Sequence, residues 1–428
     1  MKKIMIIAAL ALFTFSANAQ TDKEAAKALK EAQKNAEKLV KKAKSEYEMS
    51  IPNAQYGRKE TNFDKLAEAK ALIEQALADK NNAENAECYK VAADIDAQYY
   101  TKYDNALKAN PDDESVKPEF LKTAMRLASN AIKFDELANA NPKKKADEYK
   151  TQHTYYQNLA TNPLIQCLQA AQNYSTSDKQ EDLKFGAELA TAVVDGFTKS
   201  HLMSDFSNDN LSDWVTYAKA FKAQSLSGIA GSSAESVEAA YQELMGTKYE
   251  SVAYSALCNY FREKNADKYV EYLKKGMEKA DAETAPNFAF MLMQYQFQND
   301  KKDDAVQTIQ IIKERFPDNE NTISAYLMEG QVYFEKKQFD KAEALFAEAV
   351  QKFPNDDRAI TMPAKSAWMK AQASGDKKDM QHAIDLFKKL EAEHPSEPDM
   401  WGEPLYILYN NISNLQARDK YKKYYNVK

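Results

Sequence analysis

Glycine is scarce in this chain, with 10 residues in 428. The sequence holds no glycine-rich phosphate loop, no dinucleotide fingerprint and no GxSxG nucleophile elbow, and HExxH is missing as well. Cysteine is scarcer still. Cys88, Cys167 and Cys258 are odd in number, far apart and each set in an apolar helical pattern, so no disulfide framework or CxxC site is visible. They read as small core residues, with oxidation of one pair left open for an exported protein. The 4 histidines, His153, His201, His382 and His394, are scattered without ligand spacing and read as surface or packing residues, so neither a metal nor a cofactor is expected. Positive charge is not in excess: 58 Lys and Arg face 64 Asp and Glu, a net charge of −6. A nucleic-acid partner needs a concentrated cationic face. The runs Lys143-Lys144-Lys145 and Lys420 to Lys423 are too short for that and read as solvated helix surface.

Long apolar runs are also missing beyond the start of the chain. Met1, Lys2 and Lys3 precede an apolar run from Ile4 to Phe15 and then Ala17-Asn18-Ala19. A charged beginning, a short apolar stretch and a small-x-small end are the marks of a secretory signal. The run is shorter than the roughly 20 residues that span a bilayer, and Gln20, not a lipid-accepting Cys, follows. Residues 1–19 are therefore expected to be cleaved, leaving a periplasmic or secreted chain with no membrane insertion.

Helix-forming composition dominates what is present. Hydrophobic residues make up 44%, enough for a large core, and Ala, Lys, Glu, Leu and Gln prevail. The predicted fold class is all-α, with breaks at Pro52-Asn53, Asn81-Asn82, Asn110-Pro111, Asn141-Pro142, Asn162-Pro163, Ser204 to Asn210, Ser227 to Ser233, Phe316-Pro317, Phe353-Pro354 and His394-Pro395. Between these breaks the helices come in pairs.

One spacing recurs. Ala342, Phe346, Ala349 and Pro354 match Ala305, Ile309, Ile312 and Pro317, and again Ala383, Phe387, Leu390 and Pro395. Tyr326, Gly330 and Tyr333 mark a preceding helix, with Gly330 small where its partner crosses; Trp214, Tyr217, Ala218 and Phe221 form another first-helix pattern, and KYVEYLKKGMEKA, with Tyr269 and Gly276, another second helix. This arrangement resembles the tetratricopeptide repeat, a helix-turn-helix unit of about 34 residues. Leu257 and Met293 stand where Gly330 does in its hairpin, so those pairs are expected to be spaced differently. The resemblance implies an α-solenoid of hairpins: degenerate, longer ones over residues 20–209, repeat-like ones over 210–397, and a terminal capping helix within 398–428. The first helix carries Ala25, Leu29, Ala32, Ala36, Leu39 and Ala43, either a seam for homo-oligomerisation or a stripe packed on its own neighbour.

No nucleophile–base pair can be assembled, and the SxxK match Ser374 to Lys377 falls in a loop. The oxygen-rich run Asp205 to Asp213 reads as an N-cap for the Trp214 helix, with Ca²⁺ the lesser alternative. The resemblance implies a non-enzymatic scaffold that binds a protein or peptide in a bacterial periplasm. The alternative is an accessory of outer-membrane nutrient or glycan uptake or of cell-envelope assembly. By the same resemblance, a concave partner-binding groove is expected to hold Tyr254, Phe261, Arg262, Phe290, Phe297, Leu327, Gln331 and Phe334.

Overall fold

The structure is a computed structural model that describes residues 19–111, 113–140 and 146–425. Residues 1–18 of the expected signal segment, the expected Asn141-Pro142 break and Lys143-Lys144-Lys145 lie outside the described residues. Every regular element described is helical; the one extended pairing among the described residues is an isolated bridge between Asn53 and Arg58. No described helix is long and apolar enough to cross a membrane.

The chain divides into two compact units, residues 1–247 and 248–428. In the first, α1 (Ala19–Ser50), α2 (Phe63–Ala78), α3 (Ala86–Ala109), α4 (Lys117–Asn139), α5 (Ala146–Tyr174), α6 (Gln180–Lys199), α7 (Leu211–Gly228) and α8 (Ala234–Gln242) follow one another, each packed on the next in sequence up to α8. Ala218, Trp214 and Phe221 of α7 join the core built by α4, α5 and α6, and Phe197 meets Trp214 with ring centroids 5.9 Å apart.

Local chemistry sets the ends of these helices. Arg58 closes α1, donating from Nη1 to the Met49 carbonyl at 2.7 Å and from Nη2 to the Glu48 carbonyl at 2.8 Å. Asn62 accepts the amides of Asp64 and Lys65 at the start of α2, satisfying donors that the helix cannot. In α1 the buried stripe is Ala36, Val40 and Ala43, the last two within a cluster that includes residues of α2 and α3, whereas Leu29 is exposed. The break expected at Asn162-Pro163 does not occur: Pro163 lies inside α5. Proline's fixed φ suits a helix and its cost is one lost amide bond and a ring clash; Tyr156, Ala160, Leu164, Cys167 and Ala171, all buried along α5, hold the helix through it.

The second unit contains α9 (Glu250–Phe261), α10 (Ala266–Lys279), α11 (Ala285–Gln298), α12 (Lys302–Arg315), α13 (Thr322–Glu335), α14 (Phe339–Lys352), α15 (Asp357–Ser374), α16 (Lys377–Glu393), α17 (Gly402–Asn411) and α18 (Leu415–Tyr421), again packed in consecutive order. The repeated stripe is the core stripe: Ala305, Ile309, Ile312, Ala342, Phe346, Ala349, Ala383, Phe387 and Leu390 are all buried. Three hairpins also share a turn. Asp300, Lys337 and Ser413 adopt φ of 57°, 55° and 62°. In each, the next amide reaches back five residues, from Lys301 to Gln296, Gln338 to Tyr333 and Asn414 to Tyr409, at 2.7 to 2.9 Å. That is the Schellman closure of a helix C-terminus. The third of these turns also splits the expected single capping helix into α17 and α18.

The three cysteines are buried and unpaired as disulfides, and burial pushes each thiol up to about 12. Exclusion from solvent disfavours the thiolate and leaves them inert packing groups.

Candidate functional site

The expected groove residues lie on the first helices of successive hairpins, α9, α11 and α13, or just beyond one. Phe261, Phe297 and Phe334 are register-equivalent: the carbonyl of each accepts the amide three residues later, from Lys264, Asp300 and Lys337. Their environments differ. Phe261 is buried and stacked on Tyr272, with centroids 5.7 Å apart and planes 8° from parallel. Phe297 is half-buried, and half-buried Phe334 packs on Phe339 and Phe346 at 6.3 and 5.9 Å.

The other equivalent set behaves likewise. Tyr254 is buried, donates to Glu250 at 3.2 Å and meets Phe288 edge-on; Phe290 is buried as well. Leu327 is half-buried against the cluster formed by Ile323, Tyr326, Leu345, Ala349 and Ala359. Tyr254, Phe261 and Phe290 are therefore core residues and not rings lining an open groove. A fully apolar helix face cannot tell, from its own sequence, which of its aromatics the neighbouring hairpin will cover. Arg262 and Gln331 are exposed. Burial raises the pKa of the Tyr269 phenol while the Arg262 guanidinium opposes the rise. Gln331 lies 3.4 Å from Glu335, which also holds Lys302 at 2.5 Å.

Sequence reasoning missed the charged strut beneath this surface. Glu329 of α13 is buried and is held by Lys313 of α12 at 3.2 Å, Gln310 at 3.2 Å and the Tyr333 hydroxyl at 3.1 Å. The Lys313 ammonium also sits 4.3 Å from the centre of the Tyr326 ring, and Tyr326 donates to Glu348 of α14 at 2.7 Å. Burial, then the Glu348 hydrogen bond, raises the Tyr326 pKa. The Glu329 to Lys313 spacing crosses from one helix to another, so no single-helix pattern could have announced it.

The histidines also depart from expectation. His153 and His201 both reach Asp135, with Nδ1 of each 2.7 Å from a different carboxylate oxygen. The run beginning at Asp205 does not cap α7 through a side chain; its Asn210 N-cap makes no such bond, and Asp205 instead takes Nε2 of His153 at 3.1 Å and the Gln157 amide at 2.7 Å. Burial lowers the His153 pKa, but the hydrogen bonds to Asp205 and Asp135 outweigh it and leave the net shift upward. His382 lies 2.7 Å from Glu343 and His394 lies 3.5 Å from Glu397, both at the surface. Ser374, the last residue of α15, donates to Asp379 in the first turn of α16 at 2.6 Å, a contact between helix ends rather than a nucleophile with a base.

No protein-family profile matches the sequence, and no curated protein matches it. Solved structures that align with the chain include the yeast Tom70, at 13% identity over 89% of this chain and 91% of that one, TM-score 0.25. The P58(IPK) TPR domain aligns at 12% identity over 89% and 99%, TM-score 0.25. Naa15/Naa10 bound to HypK aligns at 14% identity over 93% and 65%, TM-score 0.25. Superpositions this loose carry no argument about fold or function; the all-α architecture of consecutive helix pairs rests on the helix order, the buried stripe and the shared turns of this chain itself.

Proposed function

We propose that this chain is a non-enzymatic helical-repeat scaffold that binds a protein or peptide segment along the second unit. The observation that carries the reading is the register equivalence of half-buried Phe297 and Phe334 on α11 and α13, beside exposed Gln331 and with Leu327 half-buried on the same helix as Phe334. Rings whose one face is packed and whose other face is open, rimmed by polar groups, suit an apolar segment of a partner. With Tyr254, Phe261 and Phe290 withdrawn into the core, the binding residues are Arg262, Phe297, Leu327, Gln331 and Phe334.

The reading of residues 1–19 as an export signal adds a place, the periplasm or the extracellular medium, where such a scaffold meets envelope proteins. Service to outer-membrane uptake or envelope assembly is a narrower version of the same role. The α1 helix is a further contact surface, for a second copy of the chain, through its exposed Leu29.

The experiment is affinity capture from a periplasmic extract with the wild type and a Phe297→Ala/Phe334→Ala double variant. A specific protein retained by the first and released by the second, at matched folding, supports the scaffold reading. Equal capture by both refutes this surface.

A further inference from the structure

Asp135, His153 and His201 come from three separate segments of the first unit. Asp135 lies one turn before the end of α4, His153 is on α5, and His201 follows the last residues of α6. The Asp135 side chain is only 2% exposed, that of His153 10% and that of His201 43%. One ligand-capable atom from each lies within 4.8 Å of the other two. We propose that these three residues form a binding site for a divalent first-row transition ion, Zn²⁺ by the chemistry of the set.

Four observations support the assignment. Two imidazole nitrogens and one carboxylate oxygen are the donors that zinc takes, whereas Ca²⁺ and Mg²⁺ prefer oxygen throughout. Each oxygen of the Asp135 carboxylate already faces one Nδ1 at 2.7 Å. Ligands of a tetrahedral ion with bonds of about 2.1 Å stand roughly 3.4 Å apart, so the hydrogen bond to the ligating Asp135 oxygen opens by roughly 0.7 Å and the wider separations, all within 4.8 Å, close toward the ion. Asp205 holds the far nitrogen of His153, Nε2, at 3.1 Å. A carboxylate behind the imidazole fixes the ring so that its Nδ1 lone pair is directed at the ion, as is usual for histidine ligands. Finally, the site sits at the C-terminal ends of α4 and α6, where the helix dipoles are negative and favour a cation. The half-exposed His201 edge leaves entry and a fourth position for water.

On binding, each Nδ1 would give up the proton it shares with Asp135 and each ring would ligate as a neutral imidazole protonated on Nε2, which for His153 faces Asp205, tying α4, α5 and the segment after α6 together. Asp205 is a positioning residue and contacts the ion only through His153. The site is independent of the partner surface on the second unit.

The test uses the full chain without an affinity tag, stripped with a chelator and titrated calorimetrically with Zn²⁺, and in parallel with Co²⁺ followed by visible absorption. The wild type is expected to bind ~1 ion per chain, to show cobalt d–d bands of nitrogen-ligated, low-coordinate character and to melt higher with Zn²⁺. His201→Ala, at a half-exposed position that should fold normally, is expected to lose the saturable binding, the cobalt bands and the melting shift. Asp205→Asn is expected to keep the stoichiometry and weaken binding by about 10–100-fold. A stripped wild type that shows no saturable Zn²⁺ binding, or a His201→Ala variant that binds like the wild type, overturns the proposal.

Discussion

The ring of Phe346 on α14 lies against the backbone of Gly330 on α13, so that a Cβ built on Gly330 would come 2.7 Å from its Cε2 and nearer still to Cζ. At this position even a methyl would meet the Phe346 ring. Gly330→Leu is expected to cost about 1–3 kcal/mol or more through overpacking. Gly330→Ala gains about 1 kcal/mol of helix propensity, but the Phe346 ring must move to admit even a methyl. Thermal melts should order the parent above Ala and Ala above Leu, and Phe346→Leu should relieve the Ala variant. An Ala variant that melts above the parent would show that the ring yields freely.

Phe261 and Phe297, equivalent in register, should part company on truncation. Phe261→Ala removes a fully buried ring and is expected to cost about 3–5 kcal/mol. Phe297→Ala uncovers a half-buried one and should cost about 1 kcal/mol, near half of a full burial. Urea unfolding of the two variants decides. Equal losses would place Phe297 in the core and remove it from the binding surface.

Lys313→Met should destabilise by about 3–5 kcal/mol, because it strands the buried Glu329 carboxylate without its cation. The Lys313→Met/Glu329→Met pair should recover most of that loss. Denaturant midpoints of both singles and the double variant complete the cycle; a double variant no better than Lys313→Met alone would mean that the strut's worth lies in its hydrogen bonds and not in its charge.

Asp281 precedes α11 and accepts the Ser251 hydroxyl at 2.5 Å, the Thr284 amide at 2.9 Å and the Glu283 amide at 3.1 Å. Ser251 foremost, then these amides, lower its pKa to about 2. A depressed folded-state value means that the carboxylate's stabilisation is complete above the ordinary aspartate value of about 4 and vanishes as the pH falls through about 2. The melting gap between the wild type and Asp281→Asn should therefore be constant near neutrality and close between about pH 4 and pH 2. A gap that persists at the acid end would assign the cap's effect to packing.

Much of the fold was legible because helical packing repeats locally. The stripes Ala305-Ile309-Ile312 and Ala342-Phe346-Ala349 have one spacing because each second helix meets its first helix in the same way, and Gly330 shows itself as the small residue that the crossing requires. Proline misled at Pro163, where a penalty on one residue is small beside the burial of a whole helix face.

The candidate sites were legible only in part. Sequence periodicity places Phe261, Phe297 and Phe334 at one position on their helices, and nothing within a hairpin states how far its neighbour will cover it. Asp135, His153 and His201 carry no ligand spacing because 18 and 66 residues separate the partners of the Asp135 hydrogen bonds. By itself the sequence determined what arises between residues three or four apart in a helix, or 37 apart in successive repeats: the helices and their buried stripes. Tertiary packing alone decided which aromatics remain open to solvent and which polar groups meet, because exposure and long-range convergence depend on the distances between helices, which no one-helix pattern encodes.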